Sequence, residues 1–340
     1  MLTSPLRISV AIAAYNGERF LGEQLESLAN QTRLPDELIV SDDRSTDRTV
    51  DIVRCFAARA PFSVRVLPND RNLGVNRNFD RAVAACTGDV VFLCDQDDVW
   101  LPHKVAEMSA LLARHDKVGL VISNSEMVDA ALRPTGRRLY ALKYPKVESL
   151  YACGEAAVRF ILDTQTLAGH TMAFRRTPSL AKPTEEIVIG CTYDFVRAVV
   201  AGSLYDLAVV PDSLTKYRRY NGQVSSPDNL PPTRTEQFRR RLRRVFVEYN
   251  RTAVKRAEFS RSLRQICRTL EEFGADRELL RFLEGKAEIA AFQAGLESSR
   301  VERLAPVVAN LLSGRYHKYA NGLPTAVRDL VIPPSSRSMR

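Results

Sequence analysis

Apolar residues alternate with small ones through Ile8, Val10 and Ile12, a period of two that predicts a strand over residues 7–14, closed by the turn Tyr15-Asn16-Gly17. Leu21, Leu25 and Leu28 then recur at helical spacing until QTRLPDE breaks the run. ELIVS predicts a second strand ending at Asp42 and Asp43. Ser45 or Thr46 would cap the helix that follows, with Val50, Val53 and Ala57 facing inward. FSVRVL predicts a third strand, and a helix around Phe79 and Val83 should stop at Gly88. DVVFLC is an unbroken apolar run, the pattern of a strand covered on both faces. Pro102 would open the next helix, where its missing N–H costs nothing, and KVGLVISN predicts a fifth strand. Past Asn124 the alternation loosens: residues 146–163 read as helical, TLAGHTMAFRR as a strand, TYDFVRAVVAG as a helix ended by Gly202, and YDLAVV as a strand.

Strands alternating with helices over the first 120 or so residues predict an α/β fold with a doubly wound, mostly parallel sheet. Ligands of such sheets sit beyond the carboxyl ends of the strands. Tyr15-Asn16, Asp42-Asp43 and Asp95-Gln96-Asp97-Asp98 all fall at such ends, so three segments converge on one edge. The pattern divides the chain into a body over 1–224, with a ligand-binding part to about 124 and a second part over 125–224, a linker SSPDNLPPT at 225–233, and a helical C-terminal extension over 234–340.

Charge placement sharpens this picture. The 340 residues carry a net charge of +9, yet residues 231–340 hold 22 Lys+Arg against 12 Asp+Glu, leaving 27 against 28 in residues 1–230. A near-neutral body thus carries a basic segment suited to an anionic partner. FRRRLRRVFVEY sets Phe238, Leu242, Val245, Phe246 and Tyr249 on one helical face, flanked by Arg239, Arg240, Arg241, Arg243 and Arg244. Such a helix can lie on an anionic membrane surface, or dock by its stripe with a solvated arginine face. Nucleic acid is not expected, because the arginines lack interleaved aromatics. The opening MLTSPLRISVAIAAYNG has no basic stretch before its apolar run and no apolar run is long enough to span a bilayer, so a cytoplasmic protein is expected, with peripheral contact on the inner membrane face. The six cysteines lie far apart with no C-x-x-C pair, which favours reduced, buried thiols.

The carboxylates of CDQDDVW carry the candidate chemistry. In an extended backbone Asp95 and Asp97 share a face while Gln96 points the other way. Two carboxylates so placed can hold Mg2+ or Mn2+, hard ions that complete their shells with water and phosphate oxygens. Helix capping or an Asx turn is the structural alternative.

In the order ISVAIAAYNGERFLGEQLESLANQT, ELIVSDDRSTDRT, NLGVNRNF, FLCDQDDVW, GHTMAFRR, YDFVRAVVAG and YRRYNGQ, the chain resembles the family 2 glycosyltransferases of the GT-A (Rossmann-like) fold, and among them rhamnosyltransferase-like bacterial enzymes. The resemblance spans roughly residues 7–224, with a weaker echo in RYHKYANGLPTAVRDL. It implies inverting transfer of a sugar, L-rhamnose foremost, from a dTDP- or UDP-sugar donor to a glycan or lipid-linked acceptor, with a divalent metal. Carried over by position, Ala13, Tyr15 and Asn16 would line the nucleotide pocket and Asp42 or Asp43 would accept the base N–H; Asp43 could equally cap the next helix. Asn72 and Gly74 would shape the loop beside the nucleotide, with Arg77 or Arg71 near the phosphates and Gln96 beside the donor. Asp95 and Asp97 would hold the metal. Asp194 would be the general base, although an Asp opening a helix also suits the helix dipole. Trp100, His170, Tyr193, Arg218, Arg219 and Tyr220 would meet the acceptor or the diphosphate. Two departures stand out: relatives usually have His-Asp where this chain has Tyr193-Asp194, and often a histidine where Tyr220 stands. A sugar-phosphate nucleotidyltransferase and a non-catalytic nucleotide-sugar or glycan-binding protein are the alternatives; the former is disfavoured by the single glycine of AAYNGERF.

Overall fold

A computed structural model describes residues 5–140, 145, 147–164, 167–188, 191–220, 223, 253–296, 299–320 and 322–331. The chain divides into two compact units, residues 1–231 and 232–340. The linker at 225–233 and the arginine-flanked stripe at 238–249 fall outside the described residues.

The first unit is built on one ten-stranded sheet. Strands β1 (Ile8–Ala14), β2 (Glu37–Asp42), β3 (Ser63–Pro68) and β4 (Val90–Cys94) alternate with helices α1 (Leu21–Ala29), α2 (Thr49–Ala57) and α3 (Val75–Ala85). They pair in parallel in the order β3-β2-β1-β4. Every residue of β4 from Val90 to Cys94 is fully buried, as its unbroken apolar run requires. Each such Val, Leu or Phe contributes about 1.5–3 kcal/mol on burial. That anchorage lets the strand end in a cluster of negative charge.

Beyond β4 come the short β5 (Val99–Trp100), α4 (Lys104–Arg114), β6 (Val118–Val128), β7 (Pro134–Arg138), β8 (Ser149–Tyr151), α5 (Glu155–Thr164), a 3-10 turn at Gly169–Thr171, β9 (Met172–Arg175), α6 (Pro178–Ala181), α7 (Thr184–Ile187), α8 (Tyr193–Leu204) and β10 (Asp206–Arg218). The sheet continues β4-β9-β6-β10-β5, with β9 antiparallel to both neighbours and β10 parallel to β6. The sheet is therefore mixed but mostly parallel on the side that carries Asp42 and Asp95.

Several local expectations differ from the structure. The span 146–163 contains strand β8, paired with β10, before α5 begins. Gly202 lies inside α8 and not at its end, because α5 packs so closely there that a Cβ would meet Ile161 Cδ1 at 2.7 Å. Helix α4 starts at Lys104, two residues after Pro102, whose carbonyl accepts the Thr32 N–H at 2.8 Å. Neither Ser45 nor Thr46 caps α2; Arg48 stands at its N-cap, and Val53 and Phe56 take the buried face. Cys86, Cys94 and Cys267 are buried free thiols, but Cys55 and Cys153 are exposed.

The second unit is helical. Helices α9 (Ala253–Glu272) and α10 (Arg277–Ala294) are joined through Gly274, at φ 74°, and α10 is capped by Asp276, which accepts the Glu278 N–H at 2.8 Å. Helices α11 (Arg300–Leu312), α12 (Arg315–Tyr319) and α13 (Leu323–Val331) follow, with Leu296, Val307, Tyr316 and Ala326 forming a small core. Among the described residues, no helix is long and apolar enough to cross a membrane.

Candidate active site

The carboxyl ends of β1 and β2 are fastened by a residue the sequence did not single out. Asn78, buried on α3, donates to the carbonyls of Ala14 at 3.2 Å and Ser41 at 3.0 Å. Asp43 is consumed by the loop before α3: Oδ1 accepts from Asn69 Nδ2 and the Leu73 N–H, both at 2.7 Å, and Oδ2 from the Gly74 N–H at 2.9 Å. Gly74 sits at φ 81°, a conformation glycine adopts freely. Asn72 reaches the Asp43 carbonyl at 3.3 Å. Asp42 is different. Its Oδ2 accepts the Ser45 N–H at 3.0 Å, while its buried Oδ1 has no hydrogen-bond partner. Of the pair, Asp42 therefore keeps an acceptor in reserve.

At the end of β1, Ala13 is half-buried and Tyr15 and Asn16 are exposed. Asn16 has a left-handed backbone, φ 47°, and its side chain accepts the Thr46 N–H at 2.9 Å. Gln96 ties this turn to the acidic one: Oε1 accepts the Tyr15 N–H at 2.9 Å and Nε2 donates to the Tyr15 carbonyl at 3.0 Å. Arg77 pairs with Glu185 on a largely exposed surface, and Arg71 is exposed.

The acidic segment leaves the strand at Cys94 and turns at Gln96-Asp97, so its backbone is not extended there. The turn brings together Asp95 and Asp98, and the 3-10 turn Gly169–Thr171 that precedes β9 delivers His170 to them. Its Nδ1 lies 3.3 Å from Asp95 Oδ2 and 3.5 Å from Asp98 Oδ2. Three ligand atoms from Asp95, Asp98 and His170 lie within 4.8 Å of one another. His170 is fully buried and held on both sides: its Nε2 is 3.0 Å from Ser125 Oγ, and its ring stacks on Tyr217 at 4.6 Å. Asp98 is fully buried too, with Oδ1 accepting the Arg218 N–H at 2.9 Å and Oδ2 unpartnered. Burial, then Asp97 and Asp95, push its carboxyl well above the ordinary range. A buried carboxylate oxygen with no donor beside a second carboxylate and an imidazole is a donor set that fits a divalent cation such as Mg2+ or Mn2+.

Asp97 faces elsewhere. Its Oδ2 accepts Tyr220 Oη at 2.8 Å and Gln223 Nε2 at 3.3 Å, and the Tyr220 ring packs on Phe20 at 4.7 Å. Burial and then Asp95 raise the Asp97 carboxyl. Arg218 is spent on structure: its guanidinium donates to the carbonyls of Asp97 at 2.8 Å and Ala130 at 2.6 Å and pairs with Glu23 at 2.8 Å. Arg219 donates to Tyr217 Oη at 2.7 Å. Trp100 is only 2% exposed, packed on Phe92 and beneath Lys104, so it belongs to the core under the site.

Helix α8 brings Asp194 to the same edge. Asn76 of α3 accepts the Tyr193 N–H at 3.1 Å and donates to the Cys191 carbonyl at 2.8 Å, fixing the helix start. Tyr193 stacks on Phe79 at 4.1 Å and its hydroxyl points at Asp95 Oδ1, 3.4 Å away. Position 169 must be glycine here, since a Cβ would fall 2.2 Å from the Tyr193 hydroxyl. Asp194, in the first turn, accepts its neighbour's Phe195 N–H at 2.8 Å, and burial, with Asp95 adding, raises its carboxyl. A carboxyl so raised is a better proton acceptor once ionised.

A mostly parallel sheet with acidic strand ends and an Asp/Asp/His cluster defines an α/β protein with a candidate metal centre at the carboxyl edge of its sheet. The model of the glycosyl transferase family 2 matches residues 9–179, half of the chain, and the protein belongs to that family. An uncharacterized protein of Mycobacterium tuberculosis is 28% identical over 221 residues, covering 63% of this chain and 59% of its own length. The dTDP-rhamnosyl transferase RfbG of Shigella flexneri is 34% identical over 98 residues, 28% of this chain and 34% of that protein. Among solved structures, S. aureus TarS 1-349 in complex with UDP-GlcNAc superposes with a TM-score of 0.56 at 19% identity, covering 96% of this chain and 90% of that one, a likeness of fold.

Proposed function

We propose that this chain is an inverting glycosyltransferase that moves a sugar from a nucleotide diphosphate to a hydroxyl of a polysaccharide or lipid-linked glycan, with L-rhamnose from dTDP as the first donor to test and UDP-sugars as the second. The observation that carries the reading is the Asp95–Asp98–His170 cluster at the carboxyl end of β4, across β1 from the reserve acceptor of Asp42 on β2. The rhamnose assignment rests on the motif resemblance and on the partial match to RfbG.

In this proposal Ala13, Tyr15 and Asn16 line the nucleotide pocket, and the Asp42–Asp43 pair recognises the base, with Asp42 Oδ1 as the acceptor. Asn72, Gly74 and Gln96 shape its walls, and Arg77 lies towards the phosphates. Asp95, Asp98 and His170 would hold a divalent metal, with Asp97 at its margin under Tyr220. When bound, such a metal stabilises the charge that develops on the leaving diphosphate. Asp194 takes the proton from the acceptor hydroxyl as its oxygen bonds to the anomeric carbon. The bond from that carbon to the diphosphate oxygen breaks, the electron pair leaves with the nucleotide diphosphate, and configuration inverts. Tyr193, hydrogen-bonded towards Asp95, sets the helix that presents this base. Peripheral contact with an anionic membrane, through the arginines at 239–244, belongs to the same proposal.

A donor screen read by nucleotide diphosphate release tests it, with dTDP-L-rhamnose and UDP-sugars, with Mn2+ and with EDTA. Release that requires Mn2+ and is lost in Asp194→Asn supports the reading. Nucleotide binding by calorimetry with no turnover on any donor would replace it with a binding protein.

A further inference from the structure

Directly beneath the acidic cluster lies a buried amine that the proposed reaction does not use. Lys104, the first residue of α4, is fully buried. Its Nζ donates to the His170 carbonyl and, at 2.8 Å, to Thr215 Oγ1, and it lies 4.4 Å from the centre of the Trp100 ring. A lysine ammonium is seldom fully buried without partners that need it. Its three neighbours come from three elements: the 3-10 turn carrying His170, strand β10, and strand β5 at the end of the acidic turn. Thr215 pairs with Trp100 across β10 and β5, so the lysine closes a loop of contacts around the cluster.

The His170 ring is held by Ser125 and Tyr217, and the backbone on either side by the Tyr140 hydroxyl, which accepts the Ala168 N–H, and by the pairing of Met172 with Ile122. Lys104 adds a direct bond to the carbonyl of His170 itself. We propose that Lys104 is a positioning residue: by clamping the His170 carbonyl to Thr215 of β10, it holds the imidazole Nδ1 within reach of the cation that Asp95 and Asp98 would share. The inference rests on the metal reading above.

The test is Mn2+ binding by the nucleotide-free full chain, measured by the loss of free Mn2+ signal, together with imidazole-nitrogen coupling to Mn2+ read by pulsed EPR. Lys104→Met should bind Mn2+ about ten-fold more weakly or worse and lose most of the nitrogen coupling, with circular dichroism retained. Lys104→Arg, which keeps a buried donor, should recover part of both. Unchanged affinity and full nitrogen coupling in Lys104→Met would overturn the role while leaving the metal site standing. If Lys104→Met does not fold, Thr215→Val, which removes one partner and keeps the amine, carries the test: a several-fold loss of affinity with weakened coupling supports the clamp, and wild-type values refute it. Wild-type protein that binds no Mn2+ would refute the metal assignment and this role together.

Discussion

Asp98→Asn offers the sharpest opposition between stability and metal binding. The native carboxylate is fully buried with Oδ2 unpartnered, and Asp95 and Asp97 stand beside it. Asparagine keeps the acceptor for the Arg218 N–H and puts a neutral amide nitrogen where the orphan oxygen lies, facing His170 Nδ1. An unsatisfied buried polar group costs about 1–3 kcal/mol, and more when charged. The amide relieves the crowding with Asp95 and Asp97 but brings its own N–H groups against the imidazole, so the metal-free variant should be more stable than wild type by up to about 1–3 kcal/mol. At roughly 2–4 °C per kcal/mol for a domain of this size, the melting temperature should rise by up to about 2–12 °C. Added Mn2+ reverses the order. A ligand at a hundred times its Kd stabilises the native state by about 2.7 kcal/mol, and this gain should appear in wild type and vanish in the variant. Thermal melts with EDTA and with a Mn2+ series read both effects. A metal-free Asp98→Asn protein less stable than wild type, or one with a wild-type Mn2+ shift, would refute the account of Asp98 as a carboxylate kept for a cation.

Three further outcomes follow from named contacts. Asp194→Asn should lower sugar transfer by about 10²–10⁴-fold with stability little changed, the usual worth of a positioned general base. Because burial raises this carboxyl, the wild-type rate should fall as pH drops through a value above the ordinary 3.8, a limb that pH profiles of kcat/KM would locate. Glu37 is buried at the start of β2. Burial alone would raise its carboxyl, but Ser9 Oγ and the Thr87 N–H, both at 2.6 Å, outweigh it and hold it below 4.5. A lowered folded-state value gives stability that is present above 4.5 and lost as pH falls through the folded value, so Glu37→Gln should cost about 1–3 kcal/mol at pH 7 and flatten the acid limb of the melting temperature. Asp80→Ala would leave Arg197, 2% exposed and paired to it at 2.7 Å, as a buried charge without its counter-ion. Urea unfolding should register a loss of about 3–5 kcal/mol, and a loss below 1 kcal/mol would contradict the pairing.

The alternation of Ile8, Val10 and Ile12, the helical spacing of Leu21, Leu25 and Leu28 and the apolar run of β4 were legible in the chain, because strand and helix periods are properties of neighbouring residues. The placement of Asp42 and Asp95 at the carboxyl ends of strands β2 and β4, on one edge of the sheet, followed from the same alternation. The antiparallel insertion of β9 between β4 and β6 was not legible, since nothing local in MAFR names its neighbours. Tertiary structure alone decided which acids meet. An extended backbone would have joined Asp95 to Asp97, but the chain turns after Cys94, pairing Asp95 with Asp98 and sending Asp97 to Tyr220. It also recruited His170, whose partners lie 45 and 75 positions away in the chain, and buried Lys104 behind it. Local pattern sets which segments form strands and where their polar ends lie; the contents of the site depend on backbone turns and strand order, which are fixed only when the whole sheet packs.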